Sequence, residues 1–336
     1  MLTNFNNLIY MSMLTFGTML TISNNNALSM WMGLEINMMA FIPMLSEKNN
    51  IMSSEASLKY FMIQAMSSSI FIISSMILMN SMNFLFSIMF QYMIIISLMM
   101  KLGSAPFHFW FPAIIDGISW FNCMILLSWQ KIGPFFILNF FISNPFIIMF
   151  IIFSLIVGCI GGLNQTSIRK ILTYSSINHI GWMLSSLKIN MNMFILYLFI
   201  YSFMLLFLTW MFSTFNIMHL NQLNQINNEI LFTKIIMLTN MMSLGGLPPF
   251  LGFFPKWIII QNMINSNMMI LNMIMIFSSL LTLFYYMKIM ISSFLINSIK
   301  INTSMFFHNN SKQFFFLISM SISLYMLIYL PFLIWN

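Results

Sequence analysis

Residues 101–112 read KLGSAPFHFWFP, and this stretch interrupts an apolar segment that runs from about residue 83 to residue 115. As one straight helix the segment would be about 50 Å long, whereas the hydrocarbon core of a bilayer is about 30 Å thick. Gly103 and Pro106 predict a break, because glycine tolerates a bend and proline lacks a backbone donor. Lys101 stands just before this break, and a charge beside broken helix at membrane depth is typical of a transport site.

The composition of the chain is that of a polytopic membrane protein. Of its 336 residues, 60% are hydrophobic and only 5% are charged, which excludes an ordinary soluble domain. The net charge of +7 comes from scattered lysines and not from a basic run, so no nucleic-acid partner is expected. Cys123 and Cys159 lack metal-ligand spacing, so we expect neither a structural zinc nor a cysteine-ligated iron–sulfur cluster on this chain.

Residue usage indicates a mitochondrial gene. The chain has 40 Met and 38 Phe, but Val157 is its only valine and Arg169 its only arginine. An A/T-rich gene in which ATA encodes methionine produces this bias. A Met-rich core selected for soft packing is the alternative, but it does not explain the missing valines. A chain made inside the organelle is expected to need no presequence, and none is recognised before the first apolar segment.

Eleven apolar spans are predicted, all of them helical. They cover residues 3–22, 26–45, 57–79, 84–115, 121–142, 145–163, 171–187, 192–217, 230–265, 268–297 and 313–335. The loops after even-numbered spans carry most of the loop cations, namely Lys48, Lys59, Arg169, Lys170, Lys300 and Lys312, whereas loops after odd-numbered spans carry only Lys188. The positive-inside rule therefore predicts a matrix-facing N-terminus and a C-terminus toward the intermembrane space.

A second broken span matches the first. Residues 244–255 read LGGLPPFLGFFP, which aligns with LGSAPFHFWFP at 102–112 after one insertion. Its predicted break lies at Gly245, Gly246, Pro248 and Pro249. The two breaks fall in spans four and nine, and an offset of five spans requires the second unit to be inverted in the membrane. The sequence therefore predicts two inverted five-helix units, residues 1–142 (broken span 84–115) and 145–297 (broken span 230–265), followed by a loop and terminal helix at 298–336.

Six ionisable side chains are expected within the spans, namely Glu35, Lys101, Lys131, His179, Lys256 and Lys288. Lys288 is near enough to a span end to reach water, and a hydrogen-bonded packing role explains His179 equally well. Lys131 is about ten residues from either end of its span and has no such route. A carboxylate next to an ammonium stores a proton, and separating the pair releases it. We therefore predict a relay from a Glu35–Lys101 pair toward Lys131, and leave the role of His108 open.

The chain contains no recognisable source of energy. It has no nucleotide-binding glycine loop, no metal cluster and no paired haem histidines. Moving one charge against about 100 mV costs about 2.3 kcal/mol, so partner proteins are expected to supply the drive.

Four segments, KLGSAPFHFWFP, WQKIGP, TYSSINHIGW and LGGLPPFLGFFPKW, resemble the antiporter-like proton-channel subunits of mitochondrial NADH–ubiquinone oxidoreductase (complex I), in their insect form. The resemblance extends over essentially the whole chain. It implies two inverted five-helix units, with proton-carrying roles for Glu35, Lys101, Lys131 and Lys256. Bacterial members begin with three further helices, whose place a partner subunit is expected to cover.

The resemblance also implies the setting of the protein. We expect a multi-pass subunit of the mitochondrial inner membrane, in contact with its lipids and with other membrane-arm subunits. It would hold no cofactor itself, while partner subunits bind NADH, FMN, iron–sulfur clusters and ubiquinone. Two alternatives remain, a stand-alone Na⁺/H⁺ antiporter and a purely structural membrane subunit. Mitochondrial codon bias argues against the first and the buried charges against the second.

Overall fold

The computed structural model describes residues 2–46, 50–80, 84–224 and 231–295. Within these ranges the chain is helical, and β structure is limited to one isolated bridge between Ser167 and His219. The α-helices are α1 Leu2–Ser23, α2 Ala27–Leu45, α3 Ile51–Asn80, α4 Phe84–Leu102, α5 Trp110–Ile115, α6 Trp120–Leu127, α7 Trp129–Leu138, α8 Phe146–Gly162, α9 Ile168–Ile189, α10 Met191–Phe215, α11 Leu220–Asn224, α12 Leu231–Gly245, α13 Phe253–Asn265 and α14 Met269–Leu295. The all-α prediction is confirmed for the described residues.

Five described segments are long and apolar enough to cross a membrane, namely Ala27–Leu45, Ile51–Met79, Trp120–Phe141, Met191–Phe215 and Met269–Ser293. Two shorter apolar helices, Ser87–Leu102 and Phe146–Gly162, accompany them. The predicted span at 313–335 and the loop cations Lys48, Lys300 and Lys312 lie outside the described residues.

The prediction that Lys59 lies in a loop is wrong. Lys59 was counted with the loop cations although it falls inside the predicted span 57–79, and helix α3 begins earlier still, at Ile51. The Lys59 ammonium pairs with the Glu55 carboxylate one turn earlier at 2.7 Å, with both side chains exposed. A helix continues beyond its apolar stretch where exposed polar side chains at this spacing support it, and hydropathy does not detect that extension.

Helix α9 lies at the centre of the bundle, although its sequence is among the least apolar. It contacts α5, α6, α8, α10, α13 and α14, and nearly all of its side chains are buried. Its hydroxyl groups bond within the helix: Ser175 donates to the Leu172 carbonyl at 2.9 Å and Ser176 to the Thr173 carbonyl at 2.7 Å. These hydroxyl groups are therefore satisfied within the interior of the bundle.

The interruption between α4 and α5 leaves its backbone carbonyls satisfied. Gly103 takes a left-handed conformation with φ +69°, which glycine adopts without steric cost. The Met100 carbonyl accepts from the Gly103 N–H and from the Trp110 indole, both at 3.2 Å. The Lys101 carbonyl accepts from the Gln64 amide at 3.3 Å. Side chains thus replace the bonds that a continuous helix would make.

The interruption between α12 and α13 is built in a similar way. Gly246 has φ +87°, and its N–H donates to the Met242 carbonyl at 3.1 Å. The Lys256 ammonium donates to the Gly245 carbonyl at 2.8 Å. A cation at the C-terminal end of a helix is favoured by the helix dipole, so this interruption positions a charged side chain.

Candidate functional site

The three lysines predicted to carry protons are buried inside the bundle. Lys101 is 7% exposed, Lys131 2% and Lys256 4%. His179 is also buried. Lys288, by contrast, is exposed on α14, which agrees with the alternative that it reaches the surface. A buried ammonium is costly unless the protein supplies partners, and the partners of these lysines define the site.

Lys131 joins the two predicted units. From α7 its ammonium donates to the Tyr201 hydroxyl of α10 at 3.2 Å and to the Ser176 carbonyl of α9 at 3.4 Å. The ammonium also lies 4.7 Å from the centre of the Tyr201 ring. A cation over a desolvated aromatic face is attracted to the ring quadrupole. Lys131 on α7 therefore contacts both α9 and α10.

His179 is within electrostatic reach of both Lys131 and Lys256. Its Nδ1 is 2.8 Å from the Tyr197 hydroxyl, in a hydrogen bond whose donor depends on the tautomer. Its ring centre is 4.7 Å from that of Tyr201, the residue that binds Lys131. Both Lys131 and Lys256 act electrostatically on the imidazole. An imidazole can accept a proton at one nitrogen and donate from the other.

Lys256 is held at the second interruption. Besides its bond to the Gly245 carbonyl, the ammonium lies 5.7 Å from the centre of the Trp182 ring. Gly246 leaves room for it, since a Cβ at that position would be 2.9 Å from Nζ. The interruption, the glycine and the cation therefore form one local arrangement.

The predicted direct pair between Glu35 and Lys101 is not formed. Across the described residues, no carboxylate lies within 4.0 Å of the Lys101 ammonium. Glu35 is half-buried and acts electrostatically on Lys101 and on Tyr60. Equal depth in two helices does not determine which face of each helix carries the residue, and this is why the sequence suggested a contact.

A small polar cavity connects Lys101 with Lys131. Both lysines line it, together with Tyr60, Gln64 and Gln130. It holds about 20 Å³ of space for water centres. One water needs about 10–15 Å³ measured in this way, so the cavity has room for a water beside the two lysine side chains.

His108, whose role the sequence left open, stabilises the first interruption. Its Nδ1–H donates to the Pro106 carbonyl at 3.2 Å, and its ring stacks on Phe109 with centres 4.3 Å apart. These contacts give it a structural role in the segment between α4 and α5.

Sequence reasoning missed several residues of the site. Tyr197 and Tyr201 are spaced i, i+4 within an apolar helix, and this spacing of hydroxyl-bearing rings was a readable signal. The interruption at Ser128, three residues before Lys131, carries no glycine or proline of its own. Lys234 was also overlooked: it is buried, and its ammonium donates to the Ser293 carbonyl at 2.7 Å.

The chain is similar in sequence to known membrane proteins over most of its length. The family model described as "NADH:quinone oxidoreductase/Mrp antiporter, TM" matches residues 24–282. NADH-ubiquinone oxidoreductase chain 2 of Anopheles gambiae is 44% identical over 296 residues, covering 87% of this chain and 86% of the relative. The chain-2 protein of Didelphis virginiana is 39% identical over 308 residues, covering 88% and 89%.

Solved structures share the fold at low sequence identity. A chain of respiratory complex I from Thermus thermophilus superposes with a TM-score of 0.80 at 21% identity, covering 88% of this chain and 72% of the other. A chain of an archaeal membrane-bound sulfane sulfur reductase gives 0.79 at 14% identity, covering 96% and 72%. A chain of the Mrp complex from a Dietzia species gives 0.74 at 16% identity, covering 82% and 58%.

Proposed function

The chain belongs to the NADH:quinone oxidoreductase/Mrp antiporter family of membrane subunits, and we propose that it carries protons along a line from Lys101 through Lys131 and His179 to Lys256. It is a membrane subunit of proton-translocating complex I in the mitochondrial inner membrane, and other membrane-arm subunits are its partners. The observation that carries the proposed path is the reach of Lys131 from α7 to Tyr201 and Ser176.

The steps from Lys101 to His179 rest on a shared cavity and on contacts, and the step from His179 to Lys256 rests on the electrostatic interaction of the two side chains. The small cavity links Lys101 to Lys131. Tyr201 contacts both the Lys131 ammonium and the His179 ring, and Lys256 acts on the same imidazole. Glu35 supplies a carboxylate whose field acts on Lys101. Proton transfer between such groups needs bridging hydroxyls or waters within hydrogen-bond distance.

In this proposal the chain crosses the membrane eleven times in two inverted five-helix units, residues 1–142 and 145–297. Spans four and nine are the broken spans, at Gly103–Pro106 and Gly245–Pro249. The similar construction of the two interruptions supports these two breaks. Each interruption has a glycine in the left-handed conformation, and at each one side chains donate hydrogen bonds to backbone carbonyls. The distribution of lysine and arginine in the loops supports an N-terminus in the matrix and a C-terminus toward the intermembrane space.

The energy for transport comes, in this proposal, from redox chemistry on partner subunits. They bind NADH, FMN, iron–sulfur clusters and ubiquinone, and this chain contributes only proton transfer. Purification in mild detergent tests the assignment. We expect the chain to migrate with a large assembly that oxidises NADH, whereas a stable monomer that exchanges Na⁺ for H⁺ would support the stand-alone antiporter instead.

Replacing Lys101 tests the first half of the path. We expect Lys101→Ala to lower the number of protons pumped per NADH oxidised, because the cavity then has a proton carrier on one side only. Lys101→Arg should also pump poorly, since a guanidinium does not release its proton near neutral pH. The measurement is proton pumping by reconstituted complex at equal assembly levels. Parent-like pumping by both variants would rule Lys101 out as a carrier.

Replacing Tyr201 by phenylalanine tests the contact between the units. The change removes the hydroxyl that accepts from Lys131 and keeps the ring against His179. A hydrogen bond to a charged group contributes about 1.5–3 kcal/mol, so we expect pumping by this chain to fall about tenfold with assembly unchanged. Tyr92→Phe is the matched control, because Tyr92 packs on Phe146 away from the lysines. Equal pumping by the two variants would exclude the Tyr201 hydroxyl from the path.

A further inference from the structure

Gln130 occupies the cavity between Lys101 and Lys131 with an amide that the protein leaves partly unpaired. Its Oε1 accepts from the Tyr60 hydroxyl at 3.5 Å. Its Nε2 is buried and, within the part of the chain that the structure describes, has no hydrogen-bond partner. A buried amide without a partner is unfavourable unless water satisfies it, and this amide borders the cavity lined by Lys101 and Lys131.

The backbone of Gln130 contributes a second polar group at the same place. Pro134 lies four residues later in α7 and lines the same cavity. Because proline has no N–H, it cannot donate to the Gln130 carbonyl as an α-helix would require. Gln130 therefore presents a side-chain donor and a backbone acceptor that the regular helix pattern does not use.

The neighbouring polar groups are already engaged. Gln64 donates its amide to the Lys101 carbonyl at the first interruption. The Lys131 ammonium donates to the Tyr201 hydroxyl and to the Ser176 carbonyl. Consecutive residues of a helix point in different directions, so Lys131 reaches the second unit while Gln130 stays with Tyr60 in the first.

We infer that Gln130, anchored by the Tyr60 hydroxyl, positions a water molecule in this cavity and so connects Lys101 to Lys131. Gln130 is a positioning residue: its amide carries no proton itself and orients the water that does. The inference rests on the proposed function and deepens it by naming the side chain that governs the first step of the path. Tyr60 does not contact the proposed water in this inference; its hydroxyl donates to Gln130 Oε1 and so helps to orient the amide.

The test compares complex I carrying Gln130→Met with complex I carrying Gln91→Met. Methionine matches glutamine in length and removes the amide donor. Gln91 is the matched control, since it lies on α4, pairs with Asn144 at 3.1 Å and does not line the cavity. The readouts are NADH oxidation, protons pumped per NADH, and water density in a high-resolution cryo-EM map. The loss of pumping caused by Lys131→Met gives the reference value, which is the part of the protons pumped per NADH that depends on this chain.

We expect Gln130→Met to lose about half or more of that share while NADH oxidation continues, because proton transfer depends steeply on the position of the carrier. The map of the parent should show water against Gln130 Nε2, and the map of Gln130→Met should not. If Gln130→Met does not assemble, Tyr60→Phe, which keeps the ring packing on Phe41 and Trp110, provides the measurement, with a smaller loss expected.

Pumping by Gln130→Met equal to that by Gln91→Met, at equal assembly, would overturn the inference. So would a parent map without water in the cavity. If Lys131→Met and Lys101→Arg still lower pumping in that case, the proposed function stands and only the role of Gln130 is refuted. If none of these variants affects pumping, the proposed path itself fails.

Discussion

Lys131→Met is expected to abolish proton translocation through this chain while the complex still assembles. Within the described part of the chain, Lys131 on α7 bonds directly to two other helices, to α10 through the Tyr201 hydroxyl and to α9 through the Ser176 carbonyl. A positioned proton carrier contributes about 10²–10⁴-fold to the rate of transfer, so pumping by this chain should fall on the order of 10²-fold or more.

Assembly should survive this substitution for a physical reason. Replacing a buried charge by an apolar side chain of similar volume is often neutral or stabilising, because no charge then remains to be desolvated. The Tyr201 hydroxyl loses a donor but keeps the option of donating its own proton. A loss of pumping at normal assembly would therefore report on proton transfer and not on folding.

Lys288→Met is the control for charge alone. It removes the same charge from the same chain, but Lys288 is exposed on α14 and lies outside the cavity and the contacts described above. We expect parent-like pumping. The measurement is the proton-to-NADH ratio in proteoliposomes, and equal ratios for the Lys131 and Lys288 variants would show that Lys131 is not a carrier.

Gly252→Ala is expected to prevent normal assembly of the chain. Gly252 packs at the second interruption, and a Cβ built on it would overlap the Ser243 carbonyl oxygen. Because the Ser243 carbonyl belongs to the backbone, it cannot move aside by a change of side-chain rotamer. Overpacking of a close-packed interior costs about 1–3 kcal/mol or more, and here the shift would move the segment that holds Lys256.

Gly245→Ala provides the matched control seven residues earlier. A Cβ there would meet no atom closer than 3.4 Å, on the Tyr286 ring, and the Gly245 carbonyl would remain available to Lys256. We expect normal amounts of complex on native gels for Gly245→Ala and strongly reduced amounts for Gly252→Ala. Normal assembly of the Gly252 variant would mean that the two segments do not pack as closely as described.

Much of the architecture followed from the sequence. Apolar length and short polar loops located the helices to within a few residues, with α3 as the main error because polar residues extend its first turns. Gly103 and Gly246 marked the interruptions because a left-handed backbone favours glycine. The interruption at Ser128 could not be found in this way, since its own residue has no such preference.

The residue types of the site were also readable from the sequence, because ionisable groups are rare in apolar spans and conspicuous when present. Their connections were not. Helix α9 is among the less apolar helices, yet it is central and carries His179 and the carbonyl that binds Lys131. The Glu35–Lys101 pair suggested by equal depth is absent among the described residues, whereas Tyr201 was not anticipated.

The sequence by itself determined a helical membrane chain with interruptions beside buried lysines, because composition, helix length and glycine–proline chemistry act locally. Only the tertiary structure decided that Lys131 turns toward α9 and α10, that His179 contacts Tyr197 and Tyr201, and that Gln130 borders the cavity. These contacts depend on the rotation of each helix about its own axis and on which helices pack beside it. Depth along a span, which a sequence does encode, says nothing about direction around the helix axis.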